Sequence, residues 1–214
     1  NLAVKLPDAV SFIDASYTTL GAIALQGIRQ ADLRLGETVA VIGLGLLGQL
    51  TVQMLKASGC KVIGLDVQEE VLSLAKQHGC DITLQSNNEA ISTIMNFTRG
   101  IGTDAVIITA STDSDSPLQL ALQISRKKSP IVIVGAVPMN IPRSPFYEKE
   151  LDLRISCSYG PGRYDPLYEE KGIDYPAGYV RWTEQRNMQA FVDLLEQGSI
   201  TTTYLTTHTF ALHD

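Results

Sequence analysis

Thr38-Val-Ala-Val-Ile-Gly-Leu-Gly-Leu-Leu-Gly48, followed by the apolar run Lys61-Val-Ile-Gly-Leu-Asp66, decides how this chain reads. Val39 to Ile42 predicts a buried strand that runs into three glycines spaced G-x-G-x-x-G; a helical pattern follows, and the second apolar run ends on an acid. Gly43 permits a tight strand-to-helix turn, Gly45 lets the backbone come close to a pyrophosphate, and Gly48 lets the helix lie close against the sheet. The helix that begins near Leu46 and Leu47 aims unpaired N–H groups and the positive end of its dipole at phosphates. Asp66, with Val67 beside it, stands where a carboxylate accepts hydrogen bonds from the adenosine ribose hydroxyls, and a 2′-phosphate there would be repelled. No Arg or Lys occurs among Val67, Gln68, Glu69 and Glu70, so the motif reads as a site for NAD(H) rather than NADP(H).

From Gly36 onward, apolar runs alternate with helical patterns in the rhythm of βαβ units. Strands are expected at Thr38 to Ile42, Lys61 to Leu65, Ile82 to Leu84, Asp104 to Ala110, Ile131 to Gly135 and Leu153 to Ser158. Helices are expected at Leu46 to Ser58, Gln68 to His78, Ala90 to Thr98 and Leu118 to Ile124, the last opened by Pro117 in a first turn that tolerates it. The pattern predicts an α/β fold: a doubly wound, mostly parallel six-stranded sheet of Rossmann type, order 3-2-1-4-5-6, with helices on both faces. A ligand of such a sheet crosses the carboxyl ends of the strands. Ala110, Ser111 and Thr112 are therefore expected under the adenine-ribose side or the phosphate bridge, and Gly135, Ala136 and Val137 near the nicotinamide. Ser158 to Gly160 follows the sixth strand. Helical patterns at Ser16 to Gln30 and Met188 to Leu195, and a β-branched stretch from Thr201 to Phe210 that reads as extended, flank this core and do not read as its own wrapping.

The 214 residues suffice for a sizeable core in one domain, and 44% hydrophobic and 19% charged residues are ordinary for a soluble globular protein. A net charge of −6 argues against a nucleic-acid surface. No apolar run is long enough to span a membrane and no signal-peptide pattern opens the chain, so a cytoplasmic protein is expected. Cys60, Cys80 and Cys157 lie far apart, with Cys60 and Cys157 in or beside strands, and read as small buried hydrophobes. His78, His208 and His213 lack metal-ligand spacing.

Leu6-Pro7-Asp8, the helix through Gly21-Ala22 and the run from Gly36 to Gly45 resemble the medium-chain dehydrogenase/reductase superfamily, which includes the zinc-type alcohol dehydrogenases. Phe146-Tyr-Glu-Lys149-Glu150-Leu151, and Leu194-Leu-Glu-Gln-Gly198 followed by Thr209-Phe210-Ala-Leu, are similar to that family's pattern as well. The resemblance implies that residues 36–200 are an NAD-binding domain, that residues 1–35 are a helix linking it to a catalytic domain missing from this chain, and that residues 201–214 are a strand returning to that domain. The Asn1 start fits an excised piece. The resemblance further implies edge-to-edge pairing of two copies through the sixth strand, where Arg154, Ser156 and Ser158 alternate with Leu153, Ile155 and Cys157. Residues Ser158 to Glu184 resemble a narrower branch in which a medium-chain dehydrogenase half precedes a Gfo/Idh/MocA-like oxidoreductase half, a branch often associated with sugar metabolism.

Five of the eight tyrosines and the only Trp fall between Ser158 and Thr183. Such a cluster either stacks on a sugar or polyol, with Tyr159 and Arg163 as the contacting residues, or packs against another domain or subunit. The resemblance implies hydride transfer between a nicotinamide and an alcohol or carbonyl carbon. It also implies a zinc ion, one of whose ligands normally falls near Ala15 to Ala22; here that stretch has no Cys, His, Asp or Glu, so zinc is held differently or is absent from the branch. No general acid is named by the sequence, and the piece alone should bind cofactor and catalyse little. Two rivals carry related motifs. A non-catalytic NAD sensor would keep the glycine turn without the flanking pieces, and an S-adenosylmethionine methyltransferase would lack the third glycine and the sixth parallel strand.

Overall fold

The computed structural model describes residues 1–210. One sheet of six strands, all parallel, runs in the order β3-β2-β1-β4-β5-β6, as expected. The strands are β1 Thr38–Ile42, β2 Lys61–Asp66, β3 Ile82–Gln85, β4 Ala105–Ile108, β5 Pro130–Ile133 and β6 Asp152–Ile155. The helices are α1 Phe12–Ala15, α2 Thr18–Ala31, α3 Leu46–Ala57, α4 Glu69–Gln77, α5 Asn88–Phe97, α6 Ser116–Ile124, α7 Arg143–Lys149, α8 Pro166–Glu169 and α9 Glu184–Glu196.

Because side chains alternate across a strand, the apolar runs feed two separate cores. Val39 and Val41 of β1, Ile107 of β4 and Val132 of β5 meet α2, α3 and α9 on one face. Ala40 and Ile42, with Ile63, Leu65, Val106, Ile108, Ile131 and Ile133, meet α5 and α6 on the other. Each strand is thus apolar on both sides, which is why the sequence reads as near-continuous Val, Ile and Leu.

The structure revises the flanking pieces. The Ser16 to Gln30 pattern is α2, and it covers the sheet directly: Ala24, Leu25 and Ile28 join the first core, and a Cβ on Gly27 would stand 2.5 Å from Val134 Cγ2. Behind it lies α9, whose Phe191 is fully buried against Gly21, where a Cβ would fall 2.1 Å from the ring. A helix whose small residues admit the sheet on one side and an aromatic ring on the other belongs to the wrapping, contrary to the sequence expectation.

The stretch from Thr201 to Phe210 is not a strand either; Thr203–Leu205 forms a turn of 3-10 helix. Side chains satisfy its backbone in place of a neighbouring strand: Gln53 accepts from Thr201 N–H at 2.9 Å and donates to Thr201 O at 2.9 Å. Tyr204 then stacks flat on His78, with ring centroids 3.5 Å apart. The Ala211-Leu212 end of the matched tail lies outside the described residues. Cys60 and Cys80 are buried, and burial pushes the Cys80 thiol up to about 12, with Asp81 adding to the rise. Cys157 is exposed, because edge strand β6 ends at Ile155 and the chain turns outward after the buried Ser156.

One polar anchor joins three elements of the core. Asp81, just before β3, takes Lys56 Nζ of α3 on both oxygens at 3.0 and 2.9 Å and Val62 N–H of β2 at 2.6 Å. Burial alone would raise this carboxyl, but the bonds from Lys56 and Val62, with Lys76 nearby, hold it below the usual range. A depressed folded value means that the stabilisation is present above the ordinary Asp range and is lost as pH falls through the folded value. Asp81→Asn is therefore expected to cost about 1 to 2 kcal/mol at pH 7, a cost that shrinks towards pH 2 to 3. Melting temperatures of both proteins across that range test this; equal losses at every pH would refute the ionic role.

Candidate functional site

The site is built at the carboxyl ends of β1, β2 and β4. Gly43 leaves β1 with φ +95°, a conformation that strains any other residue, and a Cβ there would lie 2.5 Å from Ala110 N. Gly45 caps α3, and a Cβ on it would meet nothing within 4 Å, so its open side faces the cleft. A Cβ on Gly48 would stand 2.0 Å from Gly43 O, so the first turn of α3 rests on the glycine turn itself. The helix's backbone bonding begins with Gln49 N–H to Gly45 O at 2.9 Å, which leaves the N–H groups of Leu46, Leu47 and Gly48 without an acceptor among the described residues. Those three donors, with the helix dipole, make a place for an anion.

Asp66 at the end of β2 has two roles where sequence reading expected one. Its Oδ2 accepts from Leu44 N–H at 2.6 Å, tying the glycine turn to β2, and its Oδ1 accepts from Val67 and Gln68 N–H at 2.7 and 3.0 Å. The carboxylate therefore holds the turn in shape and also presents its edge to the cleft. Across from it, the chain leaves β4 early: Thr109 and Ala110 both send their N–H to Ile42 O, and the Thr109 hydroxyl bonds Gly43 O. β4 consequently stops at Ile108 instead of Ala110, and its last residues turn into the wall of the site.

These elements enclose a cavity of about 490 Å³. Gly43, Gly45, Asp66, Val67, Ala110, Ser111 and Thr112, all expected near a cofactor, line it, while Leu46, Leu47 and Gly48 do not. Gly135, Ala136 and Val137 do not line it. Val134 and Gly135 both donate to Ile108 O, so β5 also ends early, and Ala136 is bridged to Ser111, with Thr112 N–H on Ala136 O at 2.9 Å. The two loops are joined edge to edge and run on from the cavity as one floor. Sequence reading missed Gln68, Ser86, Asn87, Asn88, Ser116, Gln119 and Gln123, which supply most of the polar lining, and Pro117 and Leu120, which supply an apolar wall. Asn87 was findable: its side chain caps α5 by accepting from Glu89 and Ala90 N–H, and an Asn ahead of a helical pattern is a start signal.

Tyr159 and Arg163 lie outside this cavity, in the loop after β6. Arg163 pairs with Glu169 at 2.6 Å and stacks over Tyr164, and Tyr159 is half-buried beside Glu184. Much of the aromatic cluster is interior packing. Tyr168 is fully buried and stacks on Tyr175, whose hydroxyl donates to Asp165. Trp182 lies between two guanidiniums, Arg29 at 3.3 Å and Arg181 at 3.8 Å from its ring. Burial, with Arg181 adding repulsion, pushes Arg29 down to about 10. Tyr164 and Tyr179 alone among the five are exposed.

Among the described residues no group of three or more His, Cys, Asp or Glu side chains is placed to hold a metal ion. No helix among them is long and apolar enough to cross a membrane.

Comparison with known proteins agrees with this geometry. The family described as zinc-binding dehydrogenases matches residues 47–170. An alcohol dehydrogenase of Rhizobium meliloti is 26% identical over 200 residues, covering 92% of this chain and 58% of that protein. An NAD-dependent alcohol dehydrogenase of Sulfurisphaera tokodaii is 36% identical over 124 residues, covering 56% of this chain and 35% of that protein. The solved structure of an alcohol dehydrogenase from Thermus sp. ATN1 superposes with a TM-score of 0.75 at 23% identity, over 96% of this chain and 54% of that one. This chain thus spans about half the length of such relatives or less. With the glycine turn, the all-parallel 3-2-1-4-5-6 sheet and the family match over more than half its residues, the chain belongs to the zinc-binding dehydrogenase family.

Proposed function

We propose that this chain is the NAD(H)-binding half of an alcohol or polyol dehydrogenase that acts on a sugar-related substrate. One observation carries the reading: Gly43, Gly45 with its open side and the Asp66 carboxylate line one cleft, and Gly45 caps α3, whose first N–H groups have no acceptor among the described residues. That combination suits a pyrophosphate next to a ribose. NAD is favoured over NADP because Asp66 is followed by Val67 and Gln68 and then by Glu69 and Glu70 in the first turn of α4, with no cation to receive a 2′-phosphate. When bound, the nicotinamide gives or accepts the hydride. The protein's part is to hold the phosphates on α3, fix the adenosine against Asp66 and Ser86, and lay the far end of the cofactor along the floor formed by Ser111 and Ala136.

The substrate oxygen and its proton are to be handled by a catalytic domain on another part of the same protein, so this chain alone turns over little. No step here passes through zinc, since among the described residues no set of donors makes a site for it. The outer edge of β6, with Ile155 and Tyr147 exposed, is the place for a second copy to pair.

Fluorescence titration with NADH and NADPH tests the reading. NADH is expected to bind at least about tenfold tighter, a difference of about 1.4 kcal/mol or more. Equal affinities would refute the choice of NAD, and no binding by either would refute the reading as a whole. Tight NADH binding with no hydride transfer in the longer protein would favour a sensor instead.

A further inference from the structure

In the loop that follows β6, four of the seven residues from Ser158 to Tyr164 have positive φ. They are Ser158, Gly160, Gly162 and Tyr164, at +48°, +118°, +113° and +65°. Two of them are not glycine, and non-glycine residues in that region persist only where surrounding contacts force them. The contacts come from α2, α8 and α9. Asn187 of α9 donates to Tyr159 O at 2.9 Å and to Gln26 of α2 at 3.3 Å, and it accepts from Arg29 Nε at 2.7 Å. Glu184 N–H donates to Pro161 O at 3.0 Å. A Cβ on Gly160 would meet Asn187 at 2.7 Å, and one on Gly162 would meet the Tyr168 ring at 2.5 Å.

At the centre of this clamp lies an anomaly. The Glu184 side chain is fully buried, and neither carboxylate oxygen has a hydrogen-bond partner. The Tyr159 hydroxyl faces it from the loop without completing a well-formed bond. Arg163 is a cation close enough to act on it, but it is paired with Glu169. Glu169 from α8 also faces the site and disfavours a second negative charge, while Tyr175, from the segment after it, is a neutral phenol whose hydroxyl is turned to Asp165. On its own helix, Arg186 is taken by Asp174. Arg29 of α2 is turned to Asn187 and Trp182. A buried carboxylate with no paired cation and no completed hydrogen bond is among the costliest arrangements in a protein, whereas the neutral acid carries its own donor.

We propose that Glu184 is a positioning residue that holds a proton at neutral pH and, by donating it to the Tyr159 hydroxyl, fixes the loop after β6 in its strained form. Burial, then the negative charge of Glu169, raises the Glu184 carboxyl, against a lowering by Arg163 and the Tyr159 hydroxyl, and the net direction is upward. The loop leaves the carboxyl end of the strand next to β5, so its shape sets how the far end of the bound cofactor is received. That last step rests on the function proposed above.

The sign follows from linkage. A group that keeps its proton in the folded state but loses it when unfolded makes the fold less stable as pH rises from the ordinary Glu value to the folded value. Glu184→Gln keeps the shape and a donor but cannot ionise. We expect the variant to melt within about 1 °C of the parent at pH 5 and about 3 °C or more above it at pH 8. The infrared band of a protonated carboxyl should be present in the parent at pH 7 and absent in the variant. Should the variant melt lower at every pH, with parallel profiles and no band difference, the carboxyl is ionised and the proposal fails.

The loop's effect on cofactor is read separately. In Tyr159→Phe the NADH affinity is expected to fall about three- to tenfold while α3-bound AMP is held as before. Unchanged NADH affinity would refute the positioning role, whereas failure of the parent to bind NADH at all would refute the function reading and leave the melting and infrared result to decide the state of Glu184.

Discussion

Gly48→Ala is expected to cost about 3 kcal/mol of stability, near the upper end for a single overpacking substitution, and to abolish measurable NADH binding. Its added methyl would sit 2.0 Å from Gly43 O and 3.2 Å from Thr109 Oγ1. The nearest obstacle is backbone, so no rotamer change relieves it. Either α3 lifts off the turn or the turn shifts, and both move the N–H groups of Leu46 and Leu47 away from the anion they are placed to hold. Gly45→Ala is the control. Gly45 has φ −63°, which alanine adopts freely, and a methyl there points into open space. That variant should keep its stability to within about 1 kcal/mol while NADH affinity falls about tenfold or more, because the methyl stands where the pyrophosphate approaches. Melting curves and NADH titrations of the two variants separate folding from binding. If Gly45→Ala bound NADH as well as the parent, the phosphate would lie elsewhere.

The different fates of these glycines explain why the core of the site was legible in the sequence. A G-x-G-x-x-G run after an apolar strand encodes backbone geometry, and backbone geometry needs only local residues. Gly43 makes the turn and Gly48 the close packing that their spacing implied, and Gly45 has an open side. Asp66 was legible for the same reason, since it ends the adjacent parallel strand. Its bond to Leu44 N–H was not, because nothing in the order of residues says which carboxylate oxygen turns inward.

The flanks were misread for a physical reason as well. Periodicity finds a helix but not its neighbour: α2 and α9 were recognised as helices, yet their burial against the sheet and against each other depends on Gly21, Gly27 and Phe191 meeting across long separations. The threonine-rich stretch reads as a strand because β-branched residues favour extended backbone. In the fold, Gln53 supplies the hydrogen bonds that a strand partner would have supplied, and the chain is free to turn at Thr203–Leu205. The aromatic cluster after Ser158 was visible as composition, but which rings lie inside was not. Tyr168 and Tyr175 are interchangeable with Tyr164 and Tyr179 on paper, and only the fold buries Tyr168 and half-buries Tyr175 against it.

Asp66→Ala tests whether one carboxylate serves both fold and selectivity. Removing it leaves the N–H groups of Leu44, Val67 and Gln68 without their acceptor, and Leu44 is fully buried. The expected loss of stability is about 2 kcal/mol, the cost of stranding a buried donor that had bonded a charged group. NADH affinity should fall about 100-fold, or about 2.7 kcal/mol, since both the ribose acceptor and the shape of the turn are lost. NADPH loses the same turn but is relieved of repulsion, so its affinity should fall less, and the preference for NADH should shrink to a few-fold. Asp66→Asn divides the two roles: its carbonyl oxygen can still accept from Leu44 N–H, but its amide group faces the N–H groups of Val67 and Gln68, and the charge is gone. It should recover about half of the lost stability while leaving the cofactor preference as weak as in Asp66→Ala. If Asp66→Asn instead restored the preference for NADH, hydrogen-bond geometry and not charge would be what excludes the 2′-phosphate.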